Sequence, residues 1–332
     1  MIRGPQHAKL AEAVRERVPE EPGVYIFHGD GDEILYIGKA VNLRQRMLSH
    51  LRPDPRAEEQ RHSRLVYEVR GFDYQVTASE LLALLREDEL IKTHRPRFNI
   101  RQNEYLEYKY LELTAEEYPR LRMCDHREEF TGRRVFGPYR DRFLVESILL
   151  LIHHYVGLRS CTDLDPAGGC LELDLGHCAG PCRNGATPDD YHRAVAQSTA
   201  FLEGDVSQVA DGLQRAMERA AEKLDFEKAL ELKERLRFCD RFGQRQRFLG
   251  DFRERKLVVV ERGDPEVTYV FLRGRLAAHG TADEPAEGRP SEPTAVPVDP
   301  GEDPRFLLDR ASVVHGWLHR NAGRCAHRFM DI

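Results

Sequence analysis

Gly23-Val24-Tyr25-Ile26-Phe27 and Ile34-Leu35-Tyr36-Ile37 are two short apolar runs rich in β-branched and aromatic residues. The turn formers Gly29-Asp30-Gly31-Asp32 separate them, so the pair predicts a β-hairpin. The period then changes from two to about 3.6. Leu43, Met47, Leu48 and Leu51 fall on one stripe and predict a helix from about Val41 to Leu51. Asp73 to Thr77 reads as a further strand. Ser79 is placed to cap a helix running to about Thr93, which Pro96 stops. Mixed short strands and a helix lead to Phe136-Gly137-Pro138-Tyr139, and another helix is expected from about Phe143 to Val156. Residues 188–247 are helical and charged, with two helices broken near Leu224-Asp225-Phe226. Lys256 to Arg262 and Glu266 to Arg273 read as paired strands, and Pro304 to His319 as a last helix carrying Trp317.

These elements predict an α+β fold. A small mixed or antiparallel sheet with flanking helices spans 15–103, and a connecting, Cys-rich metal-binding region spans 104–187. A helical region with a hairpin follows over 188–247, then a small β-containing region over 248–332. Within this last region Thr281 to Pro304 is rich in Pro, Glu and Asp and reads as a linker.

Composition narrows the class. The 332 residues are 41% hydrophobic and 32% charged, enough for packed cores, and contain no apolar run long enough to span a membrane. The N-terminus lacks the apolar stretch of a secretion signal, so a cytoplasmic protein without membrane partners is expected. Seven Cys in such a chain point to metal or a cluster rather than to disulfides. A net charge of −6 leaves nucleic acid open as a partner, since binding depends on where positive charge clusters.

Two groups of residues carry candidate chemistry. In the first, Tyr25 and Tyr36 lie on paired strands and are expected to face each other across the hairpin, Gly38 permits close approach, and Arg46 and His50 share one helix face. Glu87 stands out because Ala83, Leu84, Leu90 and Ile91 surround it at helical spacing. A carboxylate in an apolar stripe calls for a divalent metal or an Arg. Asp88 is similar, with Lys92 one turn away to neutralise it. Packing alone would also use two tyrosines, and a buried Arg46–Glu87 pair would be ordinary structure. The second group is Cys161, Cys170, Cys178 and Cys182, spaced C-x8-C-x7-C-x3-C in a loop with Pro166, Gly168, Gly169, Gly176, Gly180 and Pro181. Four thiolates suit an iron–sulfur cluster or tetrahedral zinc, with His177 as a substitute ligand. Cys124, Cys239 and Cys325 are left over as structural residues.

Gly23-Val24-Tyr25 followed by Tyr36-Ile37-Gly38 resembles the signature of the GIY-YIG nucleases. Tyr36-Ile37-Gly38-Lys39-Ala40, Arg95-Pro96-Arg97-Phe98-Asn99-Ile100, Phe136-Gly137-Pro138-Tyr139 and Leu158-Arg159-Ser160-Cys161 are similar to the UvrC family of excinucleases. The resemblance covers roughly residues 15–275. It implies metal-dependent hydrolysis of a phosphodiester in damaged double-stranded DNA, on the 3′ side of the lesion. Tyr36 would be the general base, with Lys39 the nearest cation to lower its pKa. Arg46 would neutralise the scissile phosphate, Glu87 would hold one Mg²⁺ or Mn²⁺, and Tyr25, Gly38 and Asn99 would shape the site. His50 stands where the family usually has Tyr, and a His still hydrogen-bonds phosphate or water. The Cys segment is associated in the family with a [4Fe–4S] cluster, with zinc as the alternative; its first interval is shorter here.

Met217 to Leu230 resembles the UVR motif, a hairpin that pairs with the helicase UvrB. Phe226, flanked by Leu224 and Glu227, is its candidate anchor. Family members continue into a ribonuclease-H-like nuclease and helix-hairpin-helix modules. Lys256–Val260 and Val267–Gly274 resemble the start of that half, but no further carboxylate trio follows. The chain therefore reads as a short relative with one nuclease centre, Cho-like but with a UVR motif, and the Trp317 helix is read as a natural end. The alternative function is a catalytically weak adaptor that binds UvrB or DNA and regulates repair.

Overall fold

In the computed structural model the described residues are 5–52, 61–99, 108–125, 132, 134–164, 170–183, 187–263, 266–281 and 303–332. Ile100, Pro166, Gly168, Gly169 and nearly all of the expected linker lie outside them. The chain divides into two units, Met1–Leu106 with Ser312–Arg320, and Glu107–Ala311 with Asn321–Ile332.

The first unit is built on a three-stranded antiparallel sheet of order β2-β1-β3, from β1 (Gly23–His28), β2 (Ile34–Ala40) and β3 (Gly71–Val76). Helices α1 (Pro5–Arg17), α2 (Leu43–His50), α3 (Arg61–Glu68) and α4 (Glu80–His94) complete it. Tyr25 and Phe27 pack with Val14, Leu43, Met47 and Leu65, whereas Val24 and Ile37 pack with Ala83 and Ile91 of α4. Strand alternation thus sends neighbouring residues to opposite cores. Ser79 Oγ accepts from Leu82 N–H at 3.2 Å to start α4. The helix closes on Arg95 in the left-handed region, φ 49°, one residue before Pro96.

Helices α1 and α3 are not among the elements expected from the sequence. Leu10, Val14 and Val18 are buried at four-residue spacing and were the legible signal for α1. The hairpin register corrects one expectation: Tyr25 sits opposite Gly38, and Tyr36 sits opposite Phe27. The two tyrosines are therefore diagonal neighbours, with ring centroids 6.0 Å apart.

The second unit contains an antiparallel sheet of order β5-β4-β6, from β4 (Lys109–Leu113), β5 (Leu121–Asp125) and β6 (Arg134–Tyr139). Helix α5 (Arg142–Val156) follows, then the short α6 (Leu171–Asp174) in the Cys loop. Helices α7 (Pro188–Leu202), α8 (Ser207–Glu222) and α9 (Phe226–Glu254) come next. The break at 223–225 falls where the sequence placed it, with Leu224 in the left-handed region, φ 59°. Asp225 caps α9 by accepting from Lys228 N–H at 3.0 Å. The expected strand pair, β7 (Lys256–Glu261) and β8 (Val267–Leu272), belongs to a four-stranded antiparallel sheet of order β10-β7-β8-β9. Its other members are β9 (Arg275–Thr281) and, after helix α10 (Pro304–Arg320), β10 (Cys325–Met330). β10 is an edge strand with mostly exposed side chains, so no alternation marks it in the sequence.

Candidate active site

Gly38 decides how the tyrosines pack. A Cβ at this position would lie 2.5 Å from Tyr25 Oη and 2.8 Å from Tyr36 Cε1, so only Gly lets both rings cross β2. His50, buried at the end of α2, stacks on Tyr36 with centroids 5.3 Å apart and meets Tyr25 edge-on at 5.7 Å. Phe27, not singled out from the sequence, joins the same aromatic group. Arg46, one turn before His50, is exposed, and its charge acts on both phenols. Tyr25 Oη is buried beside Arg46 and Tyr36, yet makes no hydrogen bond of normal length and angle.

Glu87 reaches this group from α4. One of its oxygens, Oε1, accepts from the backbone N–H of Lys39 at 3.0 Å, and Glu87 forms no ion pair among the described residues. Burial pushes its carboxyl up to about 7, against the smaller opposing pull of Lys39. Burial also raises both phenols above their ordinary value, Tyr25 the more strongly. For Tyr36 the Glu87 charge adds to burial, and Arg46 opposes both.

This geometry corrects the place given to Lys39. Its ammonium pairs with Glu80 Oε1 at 2.7 Å, because alternation along β2 puts Lys39 on the α4 side of the sheet. The cation that acts on the phenols is Arg46. Glu80, unremarked in the sequence, lies seven residues before Glu87 on the same helix face, and that spacing was the available signal. Asn99 is buried and clamps the backbone of β2: Oδ1 accepts from Ile37 N–H at 2.9 Å and Nδ2 donates to Ile37 O at 2.7 Å. It fixes the strand segment between Tyr36 and Gly38. Asp88 is held by Lys92 at 2.6 Å, which separates its role from that of Glu87. The chemistry of the donor set fits one divalent cation: a buried carboxylate with one hydrogen bond and no ion pair, beside a buried phenol oxygen without a normal partner.

The Cys region is built on Arg159, which is fully buried, donates to Cys161 O and Tyr118 O, and pairs with Glu116. Cys178 is buried, its Sγ accepting from Gly180 N–H at 3.3 Å. Burial pushes its thiol up, and Cys161, Cys170 and Cys182 are near enough to add to the effect. Among the described residues no three His, Cys, Asp or Glu side chains are gathered closely enough to hold an ion. Four thiols are the donor type of a soft metal centre, and residues 165–169 between Cys161 and Cys170 lie outside the described residues. His177 turns away to pair with Glu172 at 3.3 Å and to stack on His154 at 3.9 Å. Cys124 and Cys239 are buried, and Cys325 is half-buried.

At the α8–α9 turn Leu224 and Phe226 are 72% and 67% exposed, and Glu227 is exposed beside them. Met217, Ala221, Ala229 and Leu230 extend an apolar groove from Phe226.

Residues 21–100 match the UvrC-like GIY-YIG domain, 108–201 the middle domain of UvrC/Cho excinuclease, and 207–238 the UvrB/UvrC motif. All three descriptions name UvrC. The chain belongs to the UvrC family. A UvrABC system protein C from Desulforudis audaxviator is 38% identical over 247 residues, 74% of this chain and 39% of that protein. Its counterpart from Natronomonas pharaonis is 38% identical over 238 residues, 70% of this chain and 40% of that protein. The chain therefore spans about two fifths of the length of the UvrC relatives it matches. Among solved structures it is similar to the GIY-YIG N-terminal endonuclease domain of UvrC from Thermotoga maritima, bound to magnesium as its catalytic divalent cation. There the identity is 36%, covering 27% of this chain and 96% of that one, with a TM-score of 0.24. No helix among the described residues of this UvrC relative is long and apolar enough to cross a membrane.

Proposed function

We propose that this UvrC relative is a metal-dependent endonuclease that hydrolyses a phosphodiester in damaged double-stranded DNA, on the 3′ side of the lesion. The observation that carries the reading is that Tyr25 and Tyr36 meet over Gly38, His50 stacks on Tyr36, and the charges of Arg46 and Glu87 act on both phenols. In this reading Glu87 would hold one Mg²⁺ or Mn²⁺. The bound cation supplies electrophilic stabilisation of the phosphate oxygens.

Tyr36, once ionised, takes the proton of the attacking water as the new oxygen–phosphorus bond forms and the ester bond to the leaving oxygen breaks, and solvent water protonates that oxygen. Arg46 favours the phenolate and meets the charge that develops on the phosphate. Tyr25 and His50 wall the base, and Asn99 holds its strand. Lys39, tied to Glu80, contributes through its backbone N–H by orienting Glu87.

The exposed Leu224–Phe226–Glu227 turn supports docking of a UvrB-like helicase. Cys178 and the three thiols near it, those of Cys161, Cys170 and Cys182, support a [4Fe–4S] cluster in the assembled protein, or zinc. The deciding experiment is incision of a lesion-containing duplex with and without UvrB and Mg²⁺. Cleavage that needs both supports the nuclease reading. DNA and UvrB binding without cleavage at any cation concentration would leave the adaptor reading in its place.

A further inference from the structure

The strand and the helix that meet at Glu87 each bring a lysine, and each lysine gives its ammonium to a different carboxylate. Lys39 on β2 donates its backbone N–H to Glu87 Oε1 at 3.0 Å, yet its ammonium lies 2.7 Å from Glu80 Oε1. Lys92, further along α4, pairs with Asp88 at 2.6 Å. Glu87 itself forms no ion pair among the described residues, although the charges of Lys39 and Arg46 both act on it.

A carboxylate set in apolar surroundings would ordinarily draw such an ammonium to itself, because a positive charge offsets the cost of burying the negative one. The Lys39 ammonium is tethered for that contact. Its own backbone N–H already touches Glu87 Oε1, and its four-carbon stem turns about rotatable bonds. Glu80 is what holds it away. This acid opens α4, where a negative charge suits the helix dipole, and lies seven residues before Glu87, about 10 Å along the axis. The Lys39 and Glu80 side chains are only 30% and 32% exposed, so water screens their pair less than it screens a fully solvated one. An ammonium seated on Glu87 would occupy the charge that a divalent cation needs.

We propose that Glu80 is a positioning residue for the cation site: by holding the Lys39 ammonium it keeps Glu87 open to a divalent cation. The inference rests on the reading of Glu87 as a cation ligand. Without the Glu80 charge, the ammonium turns to Glu87 and competes with the metal. This role acts only through Lys39. A plain charge effect of Glu80 on the cation would act whether or not the Lys39 ammonium is present.

The test measures Mn²⁺ binding to the full chain by calorimetry at about pH 8, where Glu87 is largely ionised and its protonation does not enter. The variants form a cycle: Glu80→Gln, Lys39→Met, and the two together. Met keeps the backbone N–H that Glu87 accepts and an unbranched stem, and loses the ammonium. Glu89→Gln is the control for a lost acid on α4, since that carboxylate is exposed and pairs with Arg86 at 2.7 Å. Glu87→Gln locates the Mn²⁺ site itself.

Glu80→Gln should weaken Mn²⁺ binding about tenfold or more in the wild-type background, and by less than about twofold in the Lys39→Met background. Glu89→Gln should change it by less than about twofold. Equal losses from Glu80→Gln in the two backgrounds would make Glu80 a plain charge near the site and overturn the proposal. A loss of affinity caused by a loosened fold would likewise persist after the ammonium is removed, and would overturn it too. Mn²⁺ binding lost in Glu87→Gln but kept in Glu80→Gln overturns the proposal alone. Mn²⁺ binding absent from the wild type, or untouched by Glu87→Gln, removes the cation reading of Glu87 and the proposal with it.

Discussion

Single residues at the candidate site are set by burial more than by contacts. Glu87 shows this best: its carboxyl sits at about 7 because water has been removed from it. A folded-state value raised above the ordinary 4.5 means that the folded protein binds the proton more tightly than the unfolded chain. In cation-free protein, stability should therefore fall as pH rises from about 4.5 to about 7, by up to roughly 3 kcal/mol. Thermal melts across that window should show this decline in the wild type and its absence in Glu87→Gln. A cation competes with the same proton, so Mn²⁺ affinity by calorimetry should climb with pH and level off above about 7. In incision assays Glu87→Gln should cost about 100-fold or more, with DNA binding retained. Asp88→Asn should cost far less, since Lys92 already neutralises that carboxylate. Gly38→Ala forces a Cβ to within 2.5 Å of Tyr25 Oη and should destabilise the protein by about 1–3 kcal/mol, read as a lowered Tm.

Elements aim these residues. β2 presents Tyr36 to one core and Lys39 to the other, and α4 brings Glu87 to the strand through Lys39 N–H. The Cys loop follows α5 and is held at its start by the buried Arg159. If the four thiols take a cluster, anaerobically purified protein should be brown, with broad absorbance near roughly 400 nm. Cys178→Ser should then lose the colour and lower the Tm, since Cys178 is the buried member of the set. A colourless protein with one equivalent of zinc would instead make the loop a structural zinc site.

Across the whole molecule, the candidate nuclease residues and the α8–α9 hairpin belong to different units. Phe226 is 67% exposed and so contributes little to folding. Phe226→Ala should weaken UvrB binding by about 2–4 kcal/mol, roughly 30- to 1,000-fold. Its Tm should stay within a degree or two. A selective loss of UvrB-stimulated incision is the expected signature, and unchanged UvrB affinity would remove the recruitment role.

The sequence by itself determined the elements whose signals are local. The hairpin, the Ser79 cap, the Pro96 stop and the break at Leu224-Asp225-Phe226 each rest on spacing or on turn and cap chemistry within a few residues. It also marked Glu87, because a carboxylate among apolar helical neighbours is anomalous in one dimension. Only the tertiary structure decided what depends on distant partners. The hairpin register set Tyr25 over Gly38, Glu80 drew the Lys39 ammonium away, and the Asn99 amide was spent on Ile37. Strand β10 joined β7 from more than sixty residues away, with no alternation to announce it. Contacts between residues far apart in the chain leave little local pattern, because their cost is met by burial that exists only once the chain has folded.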